Sequence, residues 1–148
     1  DEVVFDAVSE FKKWNPGKNI EIDLENFPED EKYLIVNGNA EAMKVVFKNL
    51  IDNACKFSSN QTGFLNISAV KNQVRIEIKN EGIPIPKNEL TQIFQPFYRS
   101  DSTAKGKTGH GVGLALVKQL VELHHGKIVV LPQQNGNLFR VTVPNLFY

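Results

Sequence analysis

The chain has 148 residues, of which 41% are hydrophobic and 23% are charged, and its formal net charge at pH 7 is 0. This composition excludes a disordered tail and a membrane segment, and the balanced charge argues against a nucleic-acid partner, which usually requires a basic surface. The length suits one domain with a sizeable core, so we expect a single domain over residues 1–148. Cys55 is the only cysteine, which excludes an internal disulfide and predicts a small packed side chain.

The first forty residues predict a helix and two strands. Apolar residues at helical spacing over residues 4–14 predict an amphipathic helix that ends at the Asn-Pro-Gly of residues 15–17. Alternating apolar residues predict a strand over residues 20–24 and a short strand over residues 34–36. Asn39 then suits the N-cap of a long helix.

That long helix has an unusual polar cluster. Its apolar residues form one broad face, and Asn49, Asn53 and Lys56 lie within roughly 60° of one another beside it. Asn is a poor helix former that is usually kept for its side chain. Carboxamide oxygens suit a hard cation such as Mg²⁺, and a lysine suits phosphate. An ordinary amphipathic helix with polar flanks is the alternative that this segment alone leaves open.

Two strands follow, over residues 65–67 and 74–78. The second enters a turn rich in Gly and Pro, so we expect Asn80 to lie at a strand end. A short helix is then predicted over residues 90–97, followed by a Ser, Gly and Lys-rich loop over residues 100–108.

Three glycines, Gly109, Gly111 and Gly113, are spaced two apart and lead into an apolar-periodic helix. Exposed amides at such a helix start, together with the helix dipole, would hold phosphate. The helix is predicted to end near residues 125–126, and residues 128–131 and 138–143 are predicted to pair as strands.

Two common nucleotide motifs do not fit these glycines. A dinucleotide fingerprint needs a glycine where Leu114 stands, and a strand rather than a loop before it. The Gly-Lys-Thr of residues 106–108 imitates the end of a P-loop, but the first glycine of that motif would fall on Asp101. We therefore set both motifs aside.

Helices on one face of a mixed sheet make a two-layer arrangement. The predicted fold class is accordingly α+β, a two-layer α/β sandwich whose mixed, mostly antiparallel sheet is covered on one face by helices.

Four segments, in this order, resemble the motifs of the catalytic, ATP-binding domain of bacterial sensor histidine kinases, a family related in fold to the gyrase and heat-shock chaperone ATPases. Residues 49–57, NLIDNACKF, resemble its N box, and residues 80–86, NEGIPIP, fall at its first glycine box. Residues 93–99, IFQPFYR, resemble its F box, and residues 109–117, GHGVGLALV, its second glycine box. The resemblance covers nearly the whole chain and implies the same two-layer fold.

The resemblance also implies residue roles. Asn53 would give its amide oxygen to Mg²⁺, Asn49 would support the nucleotide from one turn earlier, and Lys56 would approach the phosphates; Asn53 and Lys56 are the predicted catalytic residues. The positions implied to hold the nucleotide are Asn49, Asn53, Lys56, Asn80, Gly82, Ile85, Phe94, Arg99, Lys107, Thr108, Gly109, His110, Gly111, Val112, Gly113 and Leu114.

The first glycine box departs from the family twice. Asn80 stands where the family usually has Asp, whose carboxylate accepts a hydrogen bond from the exocyclic amine of adenine. An Asn oxygen can still accept that bond without the charge-assisted part, on the order of 1 kcal/mol, although its amide could also flip and donate to a guanine carbonyl. Pro84 stands where glycine is common and stiffens the turn, while Gly82 remains. As an alternative, Asn80 is only a turn residue.

The family places a lid over the triphosphate between Phe97 and Gly109. Arg99, Lys105 and Lys107 lie in this segment and could reach the phosphates. Phe94 and Phe97 are expected to anchor the lid to the core.

The implied function is binding of Mg-ATP, the cofactors being ATP and Mg²⁺, and donation of the γ-phosphate to a histidine on a partner dimerisation domain. No histidine here resembles the family's phosphoacceptor box, so we expect an excised catalytic domain that does not autophosphorylate alone and that reaches a response regulator only through the full-length kinase. Without a signal-peptide pattern or an apolar run of transmembrane length, we expect a cytoplasmic domain of a membrane-anchored parent. A nucleotide-sensing module and an anti-sigma-type serine kinase are the alternatives.

Overall fold

A computed structural model describes residues 1–98 and 113–147. The helices of this part of the chain are α1, Glu2–Trp14; α2, Ala40–Lys56; and α3, Gly113–Leu123. The strands are β1, Asn19–Asp23; β2, Thr62–Val70; β3, Gln73–Glu81; β4, Lys127–Gln133; and β5, Gly136–Pro144. Short 3-10 helices occupy Glu31–Leu34 and Lys87–Glu89.

The strands form one five-stranded sheet in the order β1-β2-β3-β5-β4. β1 pairs with β2 in parallel, and every other neighbouring pair is antiparallel. The helices pack against one face of this sheet, so the predicted two-layer α+β sandwich with a mixed, mostly antiparallel sheet is confirmed.

The alternation of apolar residues in the strands produces this layering. In β3 and β5 the buried side chains recur at every second residue, and Ile76 lies directly opposite Val141 in the register. Each fully buried Ile, Leu or Val stabilises the fold by about 1.5–3 kcal/mol. The apolar face of α2 covers the middle of the sheet with Met43, Val46, Phe47, Leu50, Ile51, Ala54 and Cys55.

α2 and α3 are joined where α2 begins. Asn39 caps α2 as predicted, since its Oδ1 accepts a hydrogen bond from the Ala42 N–H at 2.9 Å. The Asn39 N–H itself donates to His124 Nε2 at 3.0 Å, just beyond the end of α3. The other ring nitrogen, Nδ1, lies 2.7 Å from Leu120 O and therefore holds the ring proton. The start of α2 is thus tied to the end of α3, and the two helices run antiparallel.

Cys55 is a packed core residue, as predicted. Its side chain has 0% exposure, and burial raises the pKa of the thiol to about 11.

Among the described residues, no helix has both the length and the apolarity that a bilayer-spanning segment needs.

The strand predicted over residues 34–36 is wrong, because this segment belongs to a 3-10 turn and its exit. The side chain of Asp30 caps that turn by accepting a hydrogen bond from the Lys32 N–H at 3.1 Å. Leu34 is buried, whereas Ile35 is exposed and accepts a hydrogen bond from the Leu146 N–H at 2.8 Å. Three alternating residues were too few to distinguish a strand from a turn.

The short helix predicted over residues 90–97 is also wrong. The chain forms the 3-10 helix Lys87–Glu89 and then consecutive turns. Pro96 has no N–H to continue a helix and disfavours helical geometry at the residue before it. Phe97 has a positive φ of 65° and is 75% exposed, so it does not anchor this segment to the core, whereas Phe94 packs against the core as expected.

Candidate functional site

The polar row predicted on α2 lies in the second half of that helix. Asn49, Asn53 and Lys56 are half-buried and follow one another along one side, next to the apolar face that packs on the sheet. The Asn53 side chain makes no hydrogen bond with any residue in the described part of the chain. A carboxamide has an acceptor oxygen and two amide hydrogens with which to bind a ligand. This fits a residue kept for its side chain rather than for helix formation.

Lys56 has an acidic neighbour one turn back along α2. Its Nζ lies 3.5 Å from Asp52 Oδ2, and Lys18 approaches the other oxygen of Asp52 at 3.6 Å. Two lysines therefore share one carboxylate, and these three side chains together carry one excess positive charge. Both ion pairs are long and partly exposed, so each holds its lysine weakly.

Asn49 connects α2 to the start of α3. Its Nδ2 donates to Val45 O at 2.8 Å, which fixes the carboxamide and turns Oδ1 away from its own helix. That oxygen lies beside Gly113, where a Cβ built on the glycine would be 2.8 Å from it. The N box and the last glycine of the second glycine box are therefore in contact. Gly113 is needed because a side chain would push the carboxamide aside.

The turn after β3 packs against the end of α2. The Gly82 N–H donates to Asn135 O at 2.9 Å, and a Cβ on Gly82 would collide with the Phe57 carbonyl oxygen. The Ser59 N–H donates to Glu81 O at 2.9 Å and holds the same two segments together. The first glycine box is thus fixed beside Lys56, and Gly82 permits the close approach of the two backbones.

Asn80 is the next-to-last residue of β3, at the strand end as predicted, and is only 3% exposed. Its Oδ1 accepts a hydrogen bond from the Asn137 N–H at 3.2 Å. The carboxamide is therefore a buried polar group with one partner on the neighbouring strand, rather than an exposed turn residue.

Asn137 was not predicted as a site residue, yet it holds the first glycine box in place. Its Oδ1 accepts from the Ile85 N–H at 2.8 Å, and its Nδ2 donates to Ile83 O at 3.1 Å. The residue is 4% exposed and lies at the start of β5. One sequence feature pointed to it, because Asn137 occupies an inward position of the alternating series that continues with Phe139 and Val141.

The remaining predicted residues divide into two groups. Ile85, Phe94 and Leu114 are partly buried against the core, and Lys118 Nζ lies 6.0 Å from the centre of the Phe94 ring. The other predicted positions lie outside the described residues: Arg99, Lys105, Lys107, Thr108, Gly109, His110, Gly111 and Val112.

The structure therefore brings three of the four motif segments to one end of the two-layer fold. A carboxamide without a described partner, a weakly held lysine and a glycine turn lie at the end of α2, next to the start of α3. Helix N-termini and lysines attract phosphate, and an amide oxygen can bind a hard cation. A buried carboxamide at the end of β3 adds a group that can recognise the edge of a base.

Residues 38–146 match the family described as "Histidine kinase-, DNA gyrase B-, and HSP90-like ATPase". Among curated relatives, the chain is 37% identical over 143 residues to the adaptive-response sensory kinase SasA of Prochlorococcus marinus subsp. pastoris, covering 94% of this chain and 37% of that protein. It is 38% identical over 120 residues to the sensor protein VanS of Enterococcus faecium, covering 79% of this chain and 30% of that protein. The matched part of the chain thus spans between 30% and 37% of the length of these two relatives.

Solved structures agree with these relatives. The nucleotide-free catalytic domain of histidine kinase ThkA superposes with a TM-score of 0.78 at 26% identity, covering 97% of this chain and 91% of that chain. Histidine kinase ThkA in complex with response regulator protein TrrA gives a TM-score of 0.77 at 25% identity, covering 98% of this chain and 40% of that chain. The family match covers most of the chain, and its relatives are sensor histidine kinases. The chain therefore belongs to the histidine kinase-, DNA gyrase B- and HSP90-like ATPase family.

Proposed function

We propose that this chain is a catalytic domain that binds Mg-ATP and presents the γ-phosphate to a histidine on a partner dimerisation domain. The observation that carries the proposal is the placement of Asn53, Lys56 and the Gly82 turn at one end of α2, beside Gly113. Phosphoryl transfer depends mainly on positioning and charge neutralisation, and these residues suit both tasks.

The residues present fit a magnesium ion that is shared with the nucleotide. Asn53 has a half-buried carboxamide whose oxygen has no described partner, and amide oxygens are hard ligands. Mg²⁺ usually keeps several waters and takes few protein ligands, the rest coming from substrate phosphates. When bound, it would neutralise charge on the transferring phosphoryl group. Asn53 would hold the ion. Asn49 would hold the neighbouring start of α3 in position through its contact with Gly113.

Lys56 would follow the phosphates during transfer. Its Nζ lies 3.5 Å from the Asp52 carboxylate. This ion pair is long and partly exposed, so a triphosphate can compete with Asp52 for the lysine. A lysine on a flexible stem can shift with the charge as it moves from donor to acceptor.

The acceptor histidine and the response regulator would come from other domains. The sequence contains no segment like the family's phosphoacceptor box, and the two relatives are named as a sensory kinase and a sensor protein. One solved relative is a histidine kinase in complex with a response regulator, which supports an equivalent partner here. The cytoplasmic location, the membrane anchoring of a parent protein and the single-domain extent over residues 1–148 stay predictions.

Calorimetric titration with ATP and ADP, with and without Mg²⁺, tests the binding half of the proposal. We expect binding that Mg²⁺ strengthens in the wild type and an Asn53→Ala variant that has lost this Mg²⁺ effect. Asn72→Ala is the matched control, because Asn72 is an exposed turn residue at the far end of β3. Binding by both variants that responds equally to Mg²⁺ would overturn the assignment of Asn53.

A further inference from the structure

We propose that Asn137 is a positioning residue for base recognition: it fixes the amide orientation of Asn80 and the path of the turn over residues 82–86, and thereby sets selectivity for a purine with a 6-amino group. This inference rests on the proposed function, since it concerns the base-binding part of the same site. Asn137 need not touch the nucleotide in order to do this. It acts through Asn80 and through the turn.

The two asparagines form a cross-strand pair. Asn80 and Asn137 are direct partners in the register of β3 and β5, and both point to the helix-covered face of the sheet. They are 3% and 4% exposed, in positions where their strands otherwise place Ile78 and Phe139. A buried carboxamide is destabilising unless it is hydrogen-bonded, so two facing carboxamides at the end of an apolar stripe require a specific arrangement.

The backbone of Asn137 determines which atom of the Asn80 amide faces it. The Asn137 N–H can only donate, and it donates to Asn80 Oδ1 at 3.2 Å. A flipped amide would place the Asn80 NH₂ group against another donor, so the flip is opposed. Oδ1 has a second lone pair, which can accept a hydrogen bond from an exocyclic amine. Nδ2 lies on the side of Gly82, 3.6 Å from the place where a Cβ on that glycine would stand.

The side chain of Asn137 bonds to the backbone of the turn at two places. One carboxamide accepts from the Ile85 N–H at 2.8 Å and donates to Ile83 O at 3.1 Å, so it spans the turn that carries Gly82. A carboxamide can do this because it offers an acceptor and a donor on the same short side chain. Next to it, Gly136 has a φ of 156° and lies so close to the Asn80 carbonyl that a Cβ would collide with it. The start of β5 is therefore held tightly against Asn80.

This geometry has a consequence for selectivity. If the Asn80 amide could turn freely, it could accept from the amine of adenine or donate to the carbonyl of guanine. Because the Asn137 N–H holds Oδ1 and the Asn137 side chain holds the turn, the acceptor remains in one place. The site should therefore prefer a 6-amino purine, although Asn80 stands where the family usually has Asp.

The test compares ADP with the diphosphate of purine riboside, which lacks the 6-amino group, by calorimetry at one salt and Mg²⁺ concentration. Asn137→Ala keeps the backbone N–H that donates to Asn80 Oδ1 but removes both side-chain hydrogen bonds to the turn. We expect the released turn to let the base move away from the Asn80 acceptor, so that the preference of the wild type for ADP falls by up to about tenfold, the size of one neutral hydrogen bond to the amine. Asn137→Asp keeps the acceptor for Ile85 N–H and should keep part of the preference. Asn135→Ala is the matched control, because Asn135 is exposed and contributes only its backbone oxygen to Gly82.

A double-mutant cycle separates positioning from structure. In an Asn80→Ala background, Asn137→Ala should leave the ratio of the two affinities unchanged, because the group it positions is gone. If Asn137→Ala weakens both nucleotides by the same factor, the residue is merely structural and the inference is overturned. A wild type that binds neither nucleotide would overturn the proposed function itself. Asn137→Asp keeps the test available if Asn137→Ala fails to fold.

Discussion

The side-chain oxygen of Asn49 lies beside Gly113, and a Cβ on that glycine would stand 2.8 Å from it. Asn49 belongs to α2 and Gly113 begins α3, so this contact joins two motif segments that are far apart in the sequence. Together with the Asn39–His124 hydrogen bond at the other end, it sets how closely the two helices lie. The position of the α3 N-terminus therefore depends on a glycine and a carboxamide.

Gly113→Ala should leave the fold intact but weaken nucleotide binding. The atom that a methyl group would meet belongs to the end of a flexible side chain, so we expect the free energy of unfolding to change by less than about 1 kcal/mol. The displaced Asn49 carboxamide would no longer support the start of α3. Thermal melts and ADP titrations measure the two effects. Unchanged ADP affinity in Gly113→Ala would show that this contact does not matter for binding.

Gly82→Ala should instead destabilise the protein. Here a methyl group would collide with the backbone carbonyl of Phe57, which cannot move without shifting the end of α2. We expect a loss of about 1–3 kcal/mol in the free energy of unfolding, as for other overpacked sites. Urea unfolding of the Gly82→Ala and Gly113→Ala variants side by side provides the comparison. Equal stabilities for the two variants would contradict the distinction between backbone and side-chain obstacles.

Asp52→Asn should increase affinity for ATP at low salt. Asp52 lies 3.5 Å from Lys56 Nζ and 3.6 Å from Lys18 Nζ, so it offsets part of their positive charge. Removing its charge should strengthen attraction for a triphosphate by a few-fold at about 0.05 M salt, with the gain shrinking as screening increases. Titrations at two ionic strengths provide the measurement. An affinity gain of the same size at both would indicate a cause other than charge.

Cys55 should make stability fall at alkaline pH. Burial raises the pKa of its thiol from the ordinary 9.0 to about 11, so the native state disfavours the thiolate. The contribution is fully present below pH 9, where both states are protonated, and is lost between pH 9 and about 11 as the unfolded chain ionises first. Urea unfolding at pH 8 and pH 10 should show a larger drop for the wild type than for Cys55→Ala. A drop of equal size in both proteins would exclude Cys55 as the cause.

The sequence predicted those parts of the fold that depend on periodicity. The alternation over residues 74–78 and the broad apolar face of α2 each follow from one segment, and both are present. The short strand over residues 34–36 and the helix over residues 90–97 are absent because a cap at Asp30 and a proline at position 96 outweigh weak patterns.

The site was predictable only where one motif sufficed. The row from Asn49 to Lys56 depends on helical spacing, which the sequence contains. The role of Asn137 depends on β5 pairing with β3 in a register that brings it opposite Asn80. Strand order and register arise from the whole sheet, so no local pattern could have paired these two residues.

Phosphoryl transfer tests directly whether Asn53 and its neighbours present ATP to an acceptor histidine. The wild-type chain and its Asn53→Ala and Asn72→Ala variants would be incubated with γ-labelled ATP, Mg²⁺ and a supplied phosphoacceptor-histidine domain of a relative. We predict label on the acceptor with the wild type and Asn72→Ala, and none above background with Asn53→Ala, whose melting temperature stays close to that of the wild type. Equal labelling of the acceptor by wild type and Asn53→Ala would contradict the account.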